Sequence, residues 1–210
     1  RQRMRDMFGR YVGQDVARQA LEHGTHLGGE INEVSVLFVD LVGSTKIAVT
    51  EEPAAVVDLL NDFFKVVVDL VDLHGGFVNK FQGDAALAIF GAPLPHPDAA
   101  GAALAAAREM RIQLGDVLGG TGFGIGVSAG QVVAGHIGAK ARFEYTVIGD
   151  PVNEAARITE IAKSEPSSLL AAGRAVEAAT PAEQALWVLG EAIELRGRGQ
   201  LTRLARPVDD

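Results

Sequence analysis

Phe77-Val-Asn-Lys-Phe-Gln-Gly-Asp-Ala-Ala-Leu-Ala-Ile-Phe90 decides the architecture. Two runs of strand-forming residues, Phe77–Phe81 and Ala85–Phe90, flank Gln82-Gly-Asp84, and so short a joint makes them an antiparallel hairpin. Upstream, Val56, Leu59, Leu60, Phe63, Val67, Leu70 and Val71 form one apolar face at helical spacing that ends at His74-Gly-Gly76. That helix opens at Thr50-Glu-Glu-Pro53, with acidic residues near the positive end of its dipole. Earlier still, Val34–Val39 is an apolar strand that stops at Asp40 and a turn-rich Val42-Gly-Ser-Thr45. Downstream, Asp98 begins an alanine-rich helix reaching about Leu114, Phe123–Ile137 reads as glycine-punctuated strand, Phe143–Ile148 as another, and Glu154–Ala162 as a helix. The order β-α-β-β-α-β predicts an α/β (α+β) domain on a ferredoxin-like palm, with short helices and strands added over Leu169–Ala205.

Before this unit, Met4, Met7, Phe8, Tyr11, Val12 and Val16 recur at helical spacing, so Arg1 to about Leu21 is expected to be helical. Gly9 and Gly13 weaken that helix, which then needs a partner to persist. Glu22–Gly29 reads as a flexible linker, dividing the chain into a helical lead-in, residues 1–29, and a core, residues 30–210. The chain opens on Arg1 rather than methionine, which reads as a piece of a longer protein.

Composition narrows the function. With 27 acidic against 19 basic residues and a net charge of -8, the chain has the wrong balance for a nucleic-acid binder. A phosphorylated ligand must be held by a local site or by metal ions, against the overall field. Cysteine is absent, which removes disulfides and thiolate metal sites and suits a reducing cytoplasm. No apolar run is long enough to span a bilayer, and no signal peptide opens the chain.

Two aspartates carry the chemistry. Asp40 ends a strand and Asp84 sits in a hairpin turn; either alone reads as a turn former. As a pair at strand ends they would repel unless a cation lay between them, and such oxygen ligands suit Mg2+ or Mn2+ with positions open to substrate phosphates. The turn Leu41-Val42-Gly43-Ser44-Thr45 would present consecutive backbone N–H groups to an anion near a helix start. Asn153 and Arg157, four apart, share a helix face that suits a ribose and a phosphoryl group, although spacing alone also fits a solvated face. Lys80, four residues before Asp84, is equally open.

Together, Phe38-Val-Asp-Leu-Val-Gly-Ser-Thr45, Asn79-Lys-Phe-Gln-Gly-Asp84, Gly130-Gln-Val-Val-Ala-Gly-His-Ile-Gly138 and Tyr145–Arg157 resemble the class III nucleotidyl cyclases, over about Val34 to Leu204. The resemblance implies the cyclase fold with an N-terminal coupling helix, and adenylyl cyclase activity, ATP to 3′,5′-cyclic AMP and pyrophosphate, at two equivalent interface sites of a head-to-tail homodimer. It implies that Asp40 and Asp84 of one protomer bind two Mg2+ or Mn2+ ions. Lys80, from the other protomer, would read the purine, Asn153 would orient the ribose and Arg157 would stabilise the transition state. Arg196 falls where the family has a lysine for the terminal phosphates, and Arg142 is a looser phosphate candidate. Thr146 stands where many adenylyl cyclases carry an aspartate facing the adenine amino group, as in a bacterial subgroup, and its hydroxyl can accept from that amino group or donate to guanine O6. Lys80 can only donate, which suits adenine N1 and conflicts with the protonated N1 of guanine. Met7–Gly13 resembles the segment coupling many bacterial cyclase domains to an upstream regulatory module, often a membrane-anchored HAMP-type unit, which would leave this domain cytoplasmic.

Three other readings compete: a degenerate cyclase-like module that senses nucleotides or dimerises, a ferredoxin-like RNA-binding domain, and a diguanylate cyclase. The acidic charge opposes the second, and the missing Gly-Gly-(Asp/Glu)-Glu-Phe signature opposes the third. The histidines carry no argument for a catalytic base, and Trp187 is expected to pack under the C-terminal strands.

Overall fold

A computed structural model describes residues 10, 12–24, 27–43, 47, 49–139 and 141–208. The elements are α1 (Gln14–His23), β1 (Gly28–Leu41), α2 (Pro53–Leu73), β2 (Phe77–Gln82), β3 (Ala85–Phe90), α3 (Ala99–Val117), β4 (Phe123–Ala139), β5 (Arg142–Ile148), α4 (Asp150–Ala162), β6 (Leu169–Ala172), α5 (Gly173–Ala178), α6 (Pro181–Gln184), β7 (Trp187–Glu194) and β8 (Leu201–Pro207). The strands form one sheet in the order β2-β3-β1-β4-β6-β8-β7, with β5 paired to β4. Its first four strands are mutually antiparallel neighbours, the arrangement of a ferredoxin-like palm.

Strand alternation divides the core. Leu37, Val39 and Leu41 of β1 and Ala86, Ala88 and Phe90 of β3 face α2 and α3, where Phe63, Val67, Val71, Leu104 and Met110 are fully or almost fully buried. Val34 and Val36 of β1 and Leu87 and Ile89 of β3 face the other side, with Phe77 and Val132. Because β3 is covered on both faces, all six of its residues are buried, which explains its unbroken apolar run. Pro53 starts α2 at a position that needs no N–H, and the Asp98 carboxylate accepts from the Gly101 N–H at 2.8 Å to cap α3. Trp187 is buried in the main core and donates to Glu183 Oε1 at 2.9 Å.

The lead-in departs from the expected continuous helix. Residues 1–9 and Tyr11 lie outside the described residues, and Gly13, at φ 88°, breaks the path before α1 begins. Val16 then buries against the second face of the sheet, so within the chain α1 already has a packing partner. The expected linker is shorter than residues 22–29: His23 belongs to α1, and Gly28 and Gly29 belong to β1. No helix among the described residues is long and apolar enough to cross a membrane.

On that second face, α4 lies close against β4. A Cβ at Gly124 or Gly126 would collide with the carbonyl oxygens of Thr159 and Ala155, so these glycines set how near the helix comes. The β4–β5 arm also turns over this face, bringing the Tyr145 ring to 5.9 Å from Phe77.

Candidate active site

Asp40 stands opposite Ala85 in the β1–β3 register, so the strand pairing itself delivers Asp84 beside it. The hairpin turn is possible because Gly83 takes φ 64°. The Leu41 N–H donates to the Asp84 carbonyl at 3.3 Å, locking the two ends. Burial raises the Asp40 pKa above its ordinary value; the Asp84 and Glu160 charges push the same way, against the Lys163 ammonium that bonds Oδ2 at 2.6 Å. Lys163 also donates to Glu160 Oε1 at 2.8 Å.

These residues fit a divalent ion. Two adjacent carboxylates, one part-buried and destabilised as an anion even with an ammonium on it, form a hard-oxygen site that a doubly charged cation would relieve. No set of three or more His, Cys, Asp or Glu side chains among the described residues could hold a metal by itself. Phosphate oxygens or water would have to complete the coordination.

The expected phosphate cradle is only partly free. The Leu41 N–H is spent on Asp84, and the Val42 N–H donates to the Gly122 carbonyl at 2.7 Å. The last residue of β1 and the one after it thus use their amides to close the sheet end, and anion binding there can begin no earlier than Gly43. Gly43 takes φ 70°, and its carbonyl accepts from the Ile47 N–H at 3.0 Å. Ser44 and Thr45 lie outside the described residues.

Lys80 lies next to a bulge in β2, where the register slips between Val78 and Lys80. Asn79, the extra residue, donates to the Tyr145 carbonyl at 2.7 Å and ties β2 to the β4–β5 arm. Lys80 Nζ then donates to Thr146 Oγ1 at 3.2 Å, with Glu144 Oε2 at 3.8 Å. The two candidate base-reading residues, 66 positions apart, are hydrogen-bonded to each other.

Asn153 and Arg157 line a cleft of about 440 Å3 together with Arg196, so the loop between β7 and β8 is brought over the face of α4. Arg157 and Arg196 have no hydrogen-bond or ion-pair partner among the described residues. Arg142 is exposed at the start of β5, paired in register with Ala139 and outside this cleft. His136 stacks edge-on against Phe143 and Tyr145, and burial lowers its pKa, as expected of a packed histidine.

The two groups of residues do not converge within one chain. Lys163, which touches Asp40, follows Asn153 by ten residues and Arg157 by six, roughly 15 and 9 Å along the helix axis. It is also turned about 80° and 120° from them around the helix. Asp40 and Asp84 therefore sit at the far end of α4, on a different flank from the Arg157 cleft.

This division, with the carboxylate pair on strand ends and a separate polar cleft, accompanies a match to the adenylate and guanylate cyclase catalytic domain over residues 28–204. The chain belongs to that family. An uncharacterized protein of Mycobacterium tuberculosis, Rv1318c, is 55% identical over 208 residues, covering 99% of this chain and 38% of its own length. The chain thus spans less than two fifths of such relatives. Among solved cyclase structures, the guanylyl cyclase Cya2 superposes with a TM-score of 0.76 at 29% identity, over 85% of this chain and 93% of its own. The adenylyl cyclase CyaB from P. aeruginosa superposes at 0.77, over 88% and 97%, and at 24% identity bears on the fold alone. The class III cyclase fold and family follow; solved relatives include both adenylyl and guanylyl cyclases, so the base is not chosen by likeness.

Sequence reasoning passed over Lys163, Asp150, Glu154, Arg174 and Arg198. The i, i+4 pair Asp150 and Glu154 beside Asn153, and the arginine two residues after Arg196, were visible as charges only. Their pairing depends on α4 meeting the β7–β8 loop.

Proposed function

We propose that the domain is an adenylyl cyclase, converting ATP to 3′,5′-cyclic AMP and pyrophosphate at the interface of a homodimer. The observation that carries the choice of ATP is the Lys80–Thr146 contact. A lysine ammonium offers only donors, to the adenine N1 acceptor, while the Thr146 hydroxyl can accept from the adenine amino group. Guanine presents a protonated N1 to the same ammonium and leaves two donors facing each other, a mismatch that costs far more than a lost contact.

The homodimer reading rests on the separation of the two half-sites. Asp40 and Asp84 from one protomer can meet Lys80, Thr146, Asn153, Arg157 and Arg196 from its partner if the two pack head to tail. Ile31, Val133 and Ile148 align across β1, β4 and β5, 74%, 41% and 57% exposed, an apolar row suited to such packing.

Asp40 and Asp84 would hold Mg2+ or Mn2+, which supplies a more acidic 3′-hydroxyl and shields the leaving phosphates. Asn153 fixes the ribose so that the 3′-oxygen lies in line with the α-phosphorus. The 3′-oxygen loses its proton to solvent and bonds to the α-phosphorus as the bond to the β-phosphate oxygen breaks, and pyrophosphate leaves with that electron pair. Arg157, without a counter-ion among the described residues, meets the charge growing on the transferring group, and Arg196 meets the terminal phosphates. Residues 1–29 would couple this domain to an upstream regulatory module.

The test is cyclic-nucleotide production by the purified domain with Mn2+, offering ATP and GTP in parallel over a range of protein concentrations. Cyclic AMP formation whose specific activity rises with concentration is expected. Nucleotide binding without pyrophosphate release by a confirmed dimer would support a sensing module instead.

A further inference from the structure

Three arginines line the cleft on α4, Arg157, Arg196 and Arg198, and a fourth, Arg174, pairs with the same two α4 carboxylates that Arg198 holds. Arg174 and Arg198 are committed. Glu154, only 2% exposed, accepts on Oε1 from Arg198 Nη1 at 2.5 Å and Thr202 Oγ1 at 2.6 Å, and on Oε2 from Arg174 Nε at 2.5 Å and from Ser128 Oγ. Asp150, one turn earlier on the same face, accepts from Arg198 Nε at 2.7 Å and Nη2 at 2.5 Å, and from Arg174 Nη2 at 3.0 Å. The Arg198 side chain is 7% exposed. Its bond holds the Asp150 carboxyl below its ordinary range. Two carboxylates thus neutralise two guanidiniums, and Arg157 and Arg196 are left as uncompensated positive charge in the cleft.

The loop between β7 and β8 has little else to hold it. Leu195 is buried at one end, but a Cβ at Gly197 or Gly199 would meet no atom within 4 Å. Between those glycines stands Arg198, whose planar fork reaches α4 with a bidentate grip on Asp150 and a further bond to Glu154. Arg196 lies two residues away on the same loop.

We propose that Arg198 is a positioning residue: clamped by Asp150 and Glu154, it holds the β7–β8 loop so that Arg196 stands beside Arg157 as a preformed site for a polyphosphate. The proposal deepens the cyclase reading and rests on it for the reaction, although polyphosphate binding can be scored without turnover. Loosening the clamp leaves Arg196 in place in the sequence but no longer fixed in space. Affinity for the phosphates then falls while Asn153 and Arg157, on α4 itself, still serve the chemical step.

The test compares Arg198→Gln, Arg198→Lys, Arg196→Ala and the Arg196→Ala/Arg198→Gln double variant. Its readouts are the calorimetric Kd for inorganic pyrophosphate, and KM and kcat for ATP with Mn2+. Arg198→Gln should raise both Kd and KM about tenfold with kcat changed far less. Arg198→Lys should recover part of the loss. In the Arg196→Ala background, Arg198→Gln should add less than about twofold, because the residue it positions is gone. Additive losses in the double variant, or a lowered Tm with unchanged Kd and KM, would overturn the proposal, as would a wild-type protein that does not bind pyrophosphate. Should Arg198→Gln fail to fold, the Lys variant carries the same comparison. Wild-type pyrophosphate binding without cyclic-nucleotide formation would refute the cyclase reading while leaving the positioning role to be decided by the Kd values.

Discussion

Burial and the Asp84 charge hold the Asp40 pKa above its ordinary 3.8 despite the Lys163 ammonium at 2.6 Å. An acid whose folded pKa exceeds its unfolded value destabilises the fold while ionised, and the loss is relieved as pH falls through the folded pKa. Asp40→Asn should therefore raise Tm near pH 7.5 while abolishing metal-dependent turnover. A lower Tm would mean that the Lys163 bond outweighs burial and repulsion. Lys80 makes a second residue-scale test. Lys80→Glu turns a donor into an acceptor beside Thr146, so the kcat/KM ratio for ATP over GTP should fall by about tenfold or more; an unchanged ratio would remove Lys80 from base recognition. At this scale the sequence was informative where a residue's chemistry is its own: the carboxylates of Asp40 and Asp84, the donor-only lysine. It was silent on Lys163 and Arg198, whose roles depend on partners 123 and 48 positions away.

Helix α4 and strand β4 are coupled through Gly124 and Gly126, where helix backbone nearly touches strand backbone. Gly126→Ala would drive a methyl group into the Ala155 carbonyl and the Thr159 hydroxyl, costing about 1–3 kcal/mol. Because α4 carries Asn153 and Arg157, the same change should lower kcat more than it raises KM; full activity with a lowered Tm would show that their placement tolerates a shifted helix. Elements of one strong period were legible: the apolar face of α2 and the run of β3 flanked by Gly83 and Gly91 fix type and extent almost to the residue. The ends of β1 were not. Residues 28–33 alternate without an apolar pattern because they pair with the β4 arm rather than cover a core, and their exposure hides them from a hydrophobicity reading. That the Leu41 and Val42 amides are bonded within the sheet end was hidden for a related reason: backbone commitments are set by tertiary pairing, which side-chain identity does not report.

At the scale of the whole molecule, ion pairs tie the C-terminal additions to the palm: Arg198 and Arg174 to α4, and Arg206 to Glu165 at 2.8 Å. Hydrogen bonds from Arg198 and Arg206 lower the pKa values of Asp150 and Glu165. For such groups the stabilisation is present above the unfolded values of 3.8 and 4.5 and is lost as pH falls through the depressed folded values. The contribution of these two pairs to Tm should thus be undiminished down to about pH 5 and be lost below it, and Asp150→Asn should flatten that loss. Stability unaffected between pH 5 and 3 would show that these pairs add nothing. The palm topology was readable because βαββαβ order prunes the possibilities to a few. That the site divides into two half-sites was implied by resemblance alone, since no spacing along a chain reports which residues stay apart. The most direct measurement mixes two inactive proteins, Asp40→Ala and Arg157→Ala. In heterodimers one of the two interface sites is intact, so cyclic AMP formation should return to up to about a quarter of the wild-type rate (a statistical half of the dimers, each with one good site). A mixture that stays inactive while heterodimers demonstrably form would contradict a site shared between protomers.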